Sequence, residues 1–402
     1  MSDPSLPRIL YFGTLPIEAH SAGPMQLYRI LQSVATDKLC VVESDCGPSD
    51  PNYRIPGVTY HRVARLFERG WYFTRTRVPK AFWAMLELEA SRQARIAANL
   101  TASFRPEAIV TIHDGFGWFA ASKLAQRLRV PLHVIAQDEW FRNLPMAETL
   151  KSRFMEKFSS VYRGASSRLC ISPFMDEEYE RLFGARGNVL YPVRDPKFVS
   201  PPEPAPSVHE AIPQLRVAFG GNAWHRGNWQ SLRDLAAALD AIGGKLLLFG
   251  PKSADVARNG LEKTNVVVKG FSRQLITDLR AEAHVVFVPM TFEEKERPNM
   301  SISFPSKMTD YSASGLPILV QGPTYSSPVR WAKENPGAIE VVTTEGIGPL
   351  LEALRRLQQP AHREQLARTS MRLGDKYFGF SSCSRVFLDA IAVDRTPFVL
   401  PQ

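Results

Sequence analysis

No apolar run in the 402-residue chain approaches the ~18 residues that a membrane-spanning helix needs, so a helical membrane protein is not expected. The stretch MSDPSLPRILYFG has no basic region ahead of a long apolar core. No secretory signal is expected, and the protein reads as cytoplasmic or peripheral at the inner face of the membrane. Cysteine is sparse: Cys40, Cys46, Cys170 and Cys383 form no C-x-x-C pair and have no histidine cluster beside them. Free thiols are expected rather than a zinc centre or a disulfide framework. Neither half carries G-x-G-x-x-G after its first apolar run, which argues against a nicotinamide or flavin dehydrogenase. Zinc-finger spacing and RNP-type motifs are also missing, so no nucleic-acid partner is expected.

What is present is an alternation of short apolar runs with helical patterns. Residues 8–13, 38–44, 107–114, 131–140 and 167–173 read as buried strands, with helices between them. Residues 191–214 then carry prolines and no apolar period. After them the alternation restarts, with strands over 215–221, 245–251, 265–271, 284–290, 316–322 and 338–342. Strands alternating with helices imply βαβ units and parallel sheets. The expected fold class is α/β with two doubly wound, Rossmann-like domains. The expected divisions are an N-terminal domain over 1–195, a proline-rich linker over 196–214 and a second domain over 215–375. A C-terminal helix and tail over 376–402 is expected to return toward the first domain.

The charge balance is +9, from 49 basic and 40 acidic side chains, which suits an acidic partner. Much of it lies in residues 54–80, where Arg54, Arg62, Arg65, Arg69, Arg75, Arg77 and Lys80 face Glu68 alone. Over VARLFERGWYFTRTRVPKAFW, residues 63–83, the arginines alternate with Phe67, Trp71, Tyr72, Phe73 and Phe82. That mixture suits an anionic membrane surface or a lipid-linked ligand as well as it suits a basic loop over a core helix.

In doubly wound sheets, ligands sit beyond the carboxyl ends of the strands. His113 and Asp114 end one predicted strand, and Gln137, Asp138 and Glu139 end the next. In the second half, Gly220-Gly221-Asn222 leads to His225 and Arg226 at a predicted helix start. Glycines let backbone approach a ligand closely, and a guanidinium at a helix N-terminus holds phosphate well. The stretch SFPSKMTDYSASGLPILV places Ser306, Lys307 and Asp310 at another strand-to-helix junction. Ser306 and Lys307 suit phosphate, whereas Asp310 suits the hydroxyls of a ribose. The plain alternative for Ser306 and Asp310 is helix capping and solvation.

These segments together resemble the retaining GT-B glycosyltransferases of the group-1, family-four type, which includes bacterial polysaccharide and lipopolysaccharide sugar transferases. The resemblance runs in order through SAGPMQLYRI, ISPFMDEEYERLFG, FGGNAWHRGNW and, most specifically, PSKMTDYSASGLPIL. It implies two domains facing across a cleft and transfer of a sugar from a nucleoside-diphosphate donor to a saccharide or lipid-linked acceptor. It also implies no cofactor or metal, consistent with the lack of any D-x-D triplet. Arg226, Lys307, Ser306 and Gly23 would hold the donor diphosphate, Asp310 the ribose, and Phe271 with Ser272 the nucleobase. Gly221, Asn222 and His225 would line the cleft. His113, Gln137 and Asp138 would act on the sugar. Two positions depart from the pattern. Gln137 stands where members usually have histidine, and Ile302 where many have glutamate; Glu293, Glu294 and Glu296 lie nearby at a spacing that does not match. A nucleotide-sugar-binding protein without turnover, or a GT-B epimerase, is therefore the alternative.

Overall fold

The computed structural model describes residues 6–19, 22–44, 49–66, 79–139, 147–211, 214–223, 226–392 and 396–400. The chain divides into two compact units, Met1–Tyr191 with Cys383–Gln402, and Pro192–Ser382. Residues 201–208 of the proline-rich stretch lie on the second unit: Ala205 N donates to Gly315 O, and the Arg280 guanidinium donates to the carbonyls of Glu203 and Pro204.

The first unit has a seven-stranded sheet in the order β3-β2-β1-β4-β5-β6-β7, parallel throughout. Its strands are β1 (Ile9–Gly13), β2 (Leu39–Ser44), β3 (Thr59–Val63), β4 (Ala108–Ile112), β5 (Leu132–Ala136), β6 (Ser167–Cys170) and β7 (Asn188–Val189). Helices α1 (Ala22–Leu31), α2 (Pro79–Leu100), α3 (Gly117–Leu128), α4 (Glu148–Gly164) and α5 (Pro173–Phe183) connect them. Strands β1, β4 and β5 are apolar runs buried at every position, as a sheet covered on both faces requires. Local chemistry sets the ends of α5. Ser172 accepts the Met175 N–H at 3.0 Å, Pro173 opens the helix, and Gly184 closes it in the left-handed region.

The second unit has a six-stranded parallel sheet in the order β10-β9-β8-β11-β12-β13. Its strands are β8 (Arg216–Gly220), β9 (Lys245–Phe249), β10 (Val266–Gly270), β11 (Val285–Pro289), β12 (Ile318–Gln321) and β13 (Glu340–Val342). Its helices are α6 (Arg226–Asp240), α7 (Ser253–Arg258), α8 (Leu275–Glu282), α9 (Arg297–Ile302), α10 (Ser306–Tyr311), α11 (Ser327–Glu334), α12 (Ile347–Leu357) and α13 (Pro360–Phe378). Leu232, Leu235, Ala236 and Leu239 of α6 and Leu350, Ala353, Leu354 and Leu357 of α12 repeat at helical spacing and share one buried cluster. Each buried leucine there contributes about 2 kcal/mol. A last helix, α14 (Phe380–Ala392), runs from the end of this unit into the residues that cluster with the first. Both sheets therefore have the expected doubly wound class. No described helix is long and apolar enough to cross a membrane. Cys40, Cys170 and Cys383 are buried, and burial pushes the Cys40 thiol up to about 11; Cys46 lies outside the described residues.

His113 and His284 are buried in neutral form. Burial lowers His113 in the first unit to about 3. In the second unit burial, then the nearby Arg216 and Arg363 charges, lower His284 to about 4. His284 Nδ1 accepts the Arg216 N–H at 2.9 Å. An unfolded histidine titrates near ~6.5. As pH falls below that value the unfolded chain takes up protons that the folded chain refuses, so stability falls. The slope reaches about 1.4 kcal/mol per pH unit for each histidine. Urea unfolding at pH 7.5, 6 and 5 should show this loss, and His284→Asn should flatten it for the second unit.

Candidate functional site

In the second sheet the strand order reverses between β8 and β11, and the loops beyond these strands meet at the start of α6. The β8 loop begins at Gly220-Gly221. Gly221 has φ +91°, and a Cβ there would lie 3.1 Å from the Lys307 side chain, so this position favours glycine twice over. Its N–H donates to Phe249 O at 2.7 Å, which fixes the loop to β9.

Helix α10 brings the cation to this loop. The Lys307 ammonium donates to the Asn222 carbonyl at 3.1 Å and lies 5.2 Å from the centre of the Phe219 ring. It keeps a path to solvent, yet protein encloses it closely enough that desolvation lowers its pKa to about 8. No carboxylate contributes to that shift, and Lys307 makes no ion pair among the described residues. Ser306 opens α10, and Asp310 lies three residues beyond Lys307, hence on the same helix face. Tyr311 ties α10 to β8: its hydroxyl accepts the Gly220 N–H at 2.7 Å and donates to Gly220 O at 3.1 Å.

Arg226 is exposed at the first residue of α6. The α6 N-terminus already holds an anion of the chain's own. Glu293, from the loop after β11, accepts the Gly227 N–H at 3.0 Å and pairs with Lys295 at 2.9 Å. That pairing raises the Lys295 pKa, and Arg226 is near enough to oppose the rise. Thr291 Oγ1 accepts the Glu293 N–H at 3.1 Å and lies against Gly227, where a Cβ would collide with it.

Beyond β10, Phe271 is 82% exposed. Ser272 is committed locally: its hydroxyl donates to Asp278 and accepts the Gln274 N–H at 3.0 Å, fixing the approach to α8. Gly221, Asn222 and Lys307 are thus in contact, and Ser306 and Asp310 share their helix with Lys307. The predicted cleft residue His225 lies outside the described residues.

In the first unit, Gly23 lies in the first turn of α1, and a Cβ there would meet only Leu15, at 3.9 Å. Thr14 Oγ1 reaches the Asp114 carbonyl at 2.7 Å and its carboxylate at 3.0 Å, joining the loops after β1 and β4. His113 follows β4, but its ring is inside the unit. It stacks on Phe158 at 3.7 Å between centroids and meets the Tyr179 hydroxyl at 3.0 Å. Burial, followed by Glu139, Cys170, Tyr162 and Asp138, raises the Tyr179 pKa. His113 thus meets Tyr179 directly, and the Asp138 charge is near enough to add to the Tyr179 shift. Gln137 is half-buried and Asp138 exposed, both just past β5.

Sequence reasoning did not assign Glu293 to the α6 start. Its signal was the acidic run Glu293, Glu294, Glu296 near Arg226 in the second domain, which only the fold brings together.

Residues 33–192 match the family model described as a glycosyl transferase 4-like domain. No curated protein matches the sequence. Among solved structures, HepE of Anabaena in complex with UDP and glucose is 12% identical. The match covers 96% of this chain and 99% of that one with a TM-score of 0.67. Sucrose-phosphate synthase of Thermosynechococcus elongatus is 14% identical, over 94% of this chain and 97% of that one, with a TM-score of 0.64. A UDP-forming trehalose-phosphate synthase of Burkholderia xenovorans is 14% identical, over 98% and 99%, with a TM-score of 0.63. The chain therefore has the GT-B fold of these proteins.

Glu293 caps α6 with a charge that complements the helix dipole. Glu293→Ala should lower the stability of the second unit by about 1 kcal/mol in urea unfolding. Glu293→Gln keeps an acceptor for the Gly227 N–H and should lose less.

Proposed function

We propose that the protein is a glycosyltransferase that moves a sugar from a nucleoside-diphosphate donor to a hydroxyl of a saccharide or lipid-linked acceptor. The observation that carries this reading is Lys307, a closely enclosed ammonium beside the Gly221 loop with no carboxylate to neutralise it. Such a cation suits a ligand that brings its own negative charge. The glycosyl transferase 4-like match over residues 33–192 points the same way, as do neighbours of the same fold whose structures were solved with UDP or UDP-glucose.

In this reading Lys307 and Arg226 hold the diphosphate and stabilise the charge that develops on it as the glycosidic bond breaks. Ser306 adds a hydroxyl, Gly221 and Asn222 let backbone approach, and Gly23 is assigned to the diphosphate by the family resemblance. Asp310 accepts from the ribose hydroxyls. The exposed Phe271 ring takes the base face, with Ser272 fixing the turn beneath it. Gln137 and Asp138 attend the sugar, whose oxocarbenium-like character favours nearby carboxylate and amide oxygens. His113 stays neutral and shielded at working pH, so it holds Tyr179 and the β4 end rather than trading a proton. Transfer proceeds with retention and without a metal. The basic and aromatic residues between 54 and 80 offer the acceptor or its membrane a docking segment, while Phe82 is buried in the core; the central part, 67–78, lies outside the described residues.

A second reading is favoured by two positions. Ile302 is buried and apolar where a glutamate is expected, and Gln137 replaces a histidine. A binding protein without turnover, or an epimerase, would tolerate both. Incubation with labelled nucleotide sugars and cell-extract acceptors separates the readings, because only transfer yields a glycosylated acceptor.

Calorimetry with UDP, GDP, ADP and CDP checks the donor site. Lys307→Ala and Arg226→Ala should each weaken binding by about ten- to a hundredfold, since each removes a charge-assisted contact of about 1.5–3 kcal/mol. Undiminished binding in both would overturn the assignment. The pH dependence has a definite sign. Above about pH 8 the free Lys307 loses its proton, so binding must take one up. Affinity should then fall by up to about tenfold per pH unit. Lys307→Arg, which stays charged, should remove that fall.

A further inference from the structure

Helix α10 is only six residues long and has no side-chain cap at its start, so it cannot hold its own place. The Tyr311 hydroxyl fixes one side of it to Gly220. The other tie comes from Arg194, the third residue of the second unit and 2% exposed. Its guanidinium divides its contacts. Nη1 pairs with Asp375 of α13 at 2.6 Å and donates to Ser200 Oγ at 3.0 Å. Nη2 donates to Ser312 Oγ at 2.6 Å, and Nε points to the Thr309 carbonyl at 3.4 Å. The Ser312 hydroxyl itself donates to the same Thr309 carbonyl at 2.6 Å. Gly374 leaves the space for this, because a Cβ there would collide with both the guanidinium and Ser312.

We propose that Arg194 is a positioning residue of the donor site, holding the end of α10 so that Lys307 and Asp310 are preset for the nucleotide. The inference rests on the donor reading above. Arg194 touches no ligand in this account. Its Nη1 side anchors the chain to α13, whereas its Nη2 and Nε side sets α10. The two sides are separable by mutation. Asp375→Asn removes the ion pair and leaves the α10 tie. Ser312→Ala removes the acceptor at the C-terminal end of α10 and leaves the ion pair.

The test uses the full-length protein, with UDP as the probe in calorimetry and thermal unfolding in parallel. Ser312→Ala should raise the Kd for UDP by about three- to tenfold, the loss of one well-placed hydrogen bond. It should also move the pH above which UDP affinity drops, because the enclosure of Lys307 changes with α10. Asp375→Asn should lower the Tm while leaving the Kd within about twofold. Arg194→Lys should recover part of the affinity that Arg194→Met loses. If folded Ser312→Ala and Arg194→Met bind UDP like the wild type with an unchanged pH profile, the positioning role is overturned. If the wild type binds no nucleoside diphosphate, the donor reading itself falls, a result distinct from equal binding by all variants.

Discussion

A desolvated cation with no partner acid organises the second unit. Taking an ammonium out of water is costly, and proteins usually offset that cost with a carboxylate. Lys307 has a backbone carbonyl from Asn222 and the face of Phe219 instead. Desolvation that these contacts do not offset lowers its pKa to about 8. A chain that only needed stability would gain by placing an acid there or by exchanging the lysine for an apolar residue. Around it, Gly221 is held in a left-handed conformation, Tyr311 locks the loop to α10, and Arg194 fixes the other side of that helix. These are ties on a charge whose natural complement is a ligand.

The start of α6 solves the same electrostatic problem in the opposite way. Its unpaired N–H groups and dipole favour an anion, and the chain supplies Glu293. A carboxylate beside Gly227 shows that the position accepts negative charge at hydrogen-bonding distance. It also means that a phosphate arriving there would meet a competitor. Glu293 comes from a surface loop, is partly exposed and carries Lys295 with it. Moving it costs about the energy of one exposed ion pair and one helix cap, roughly 1–2 kcal/mol. A diphosphate brings more charge than one carboxylate, so the exchange favours the ligand.

The central strands were legible because burial on both faces writes them as continuous apolar runs. ILYF in β1 and VVFV in β11 allow little else. Edge strands were not. β3 reads TYHRV and is mostly solvated, and β7 is two residues long, so neither leaves an apolar run. Short helices α7, α9 and α11 were missed for a related reason, since six to eight residues give barely two turns of periodicity. Among the candidate site residues, Lys307 with Gly221 and Asn222 was visible as polar and glycine positions just past apolar strands. Position alone misled at His113, whose strand end faces the ligand side of the sheet while its ring turns into the aromatic cluster around Phe158. The direction of a side chain at a strand end depends on packing, which periodicity does not carry. Arg194 was hidden altogether, because its partners at 309, 312 and 375 are distant in sequence and only the fold gathers them.

Fold alone leaves the chemistry open, because GT-B domains with intact nucleotide sites can transfer, isomerise or only bind. In this chain the candidate positions divide by role. The donor side of the second unit keeps a complete electrostatic logic, in which enclosed cation, glycine loop and helix start all call for the same ligand chemistry. The sugar-directed positions do not. Ile302 contributes no polar atom, and Gln137 has neither the charge nor the proton of a histidine. A reaction through an oxocarbenium-like state can tolerate that if leaving-group stabilisation supplies most of the rate, which is where fixed cations act most strongly. The amide of Gln137 can still accept from a sugar hydroxyl and orient it. On the proposed reading, transfer demands less of these two positions than their departure from the family pattern suggests, and leaving-group stabilisation falls to Lys307 and Arg226.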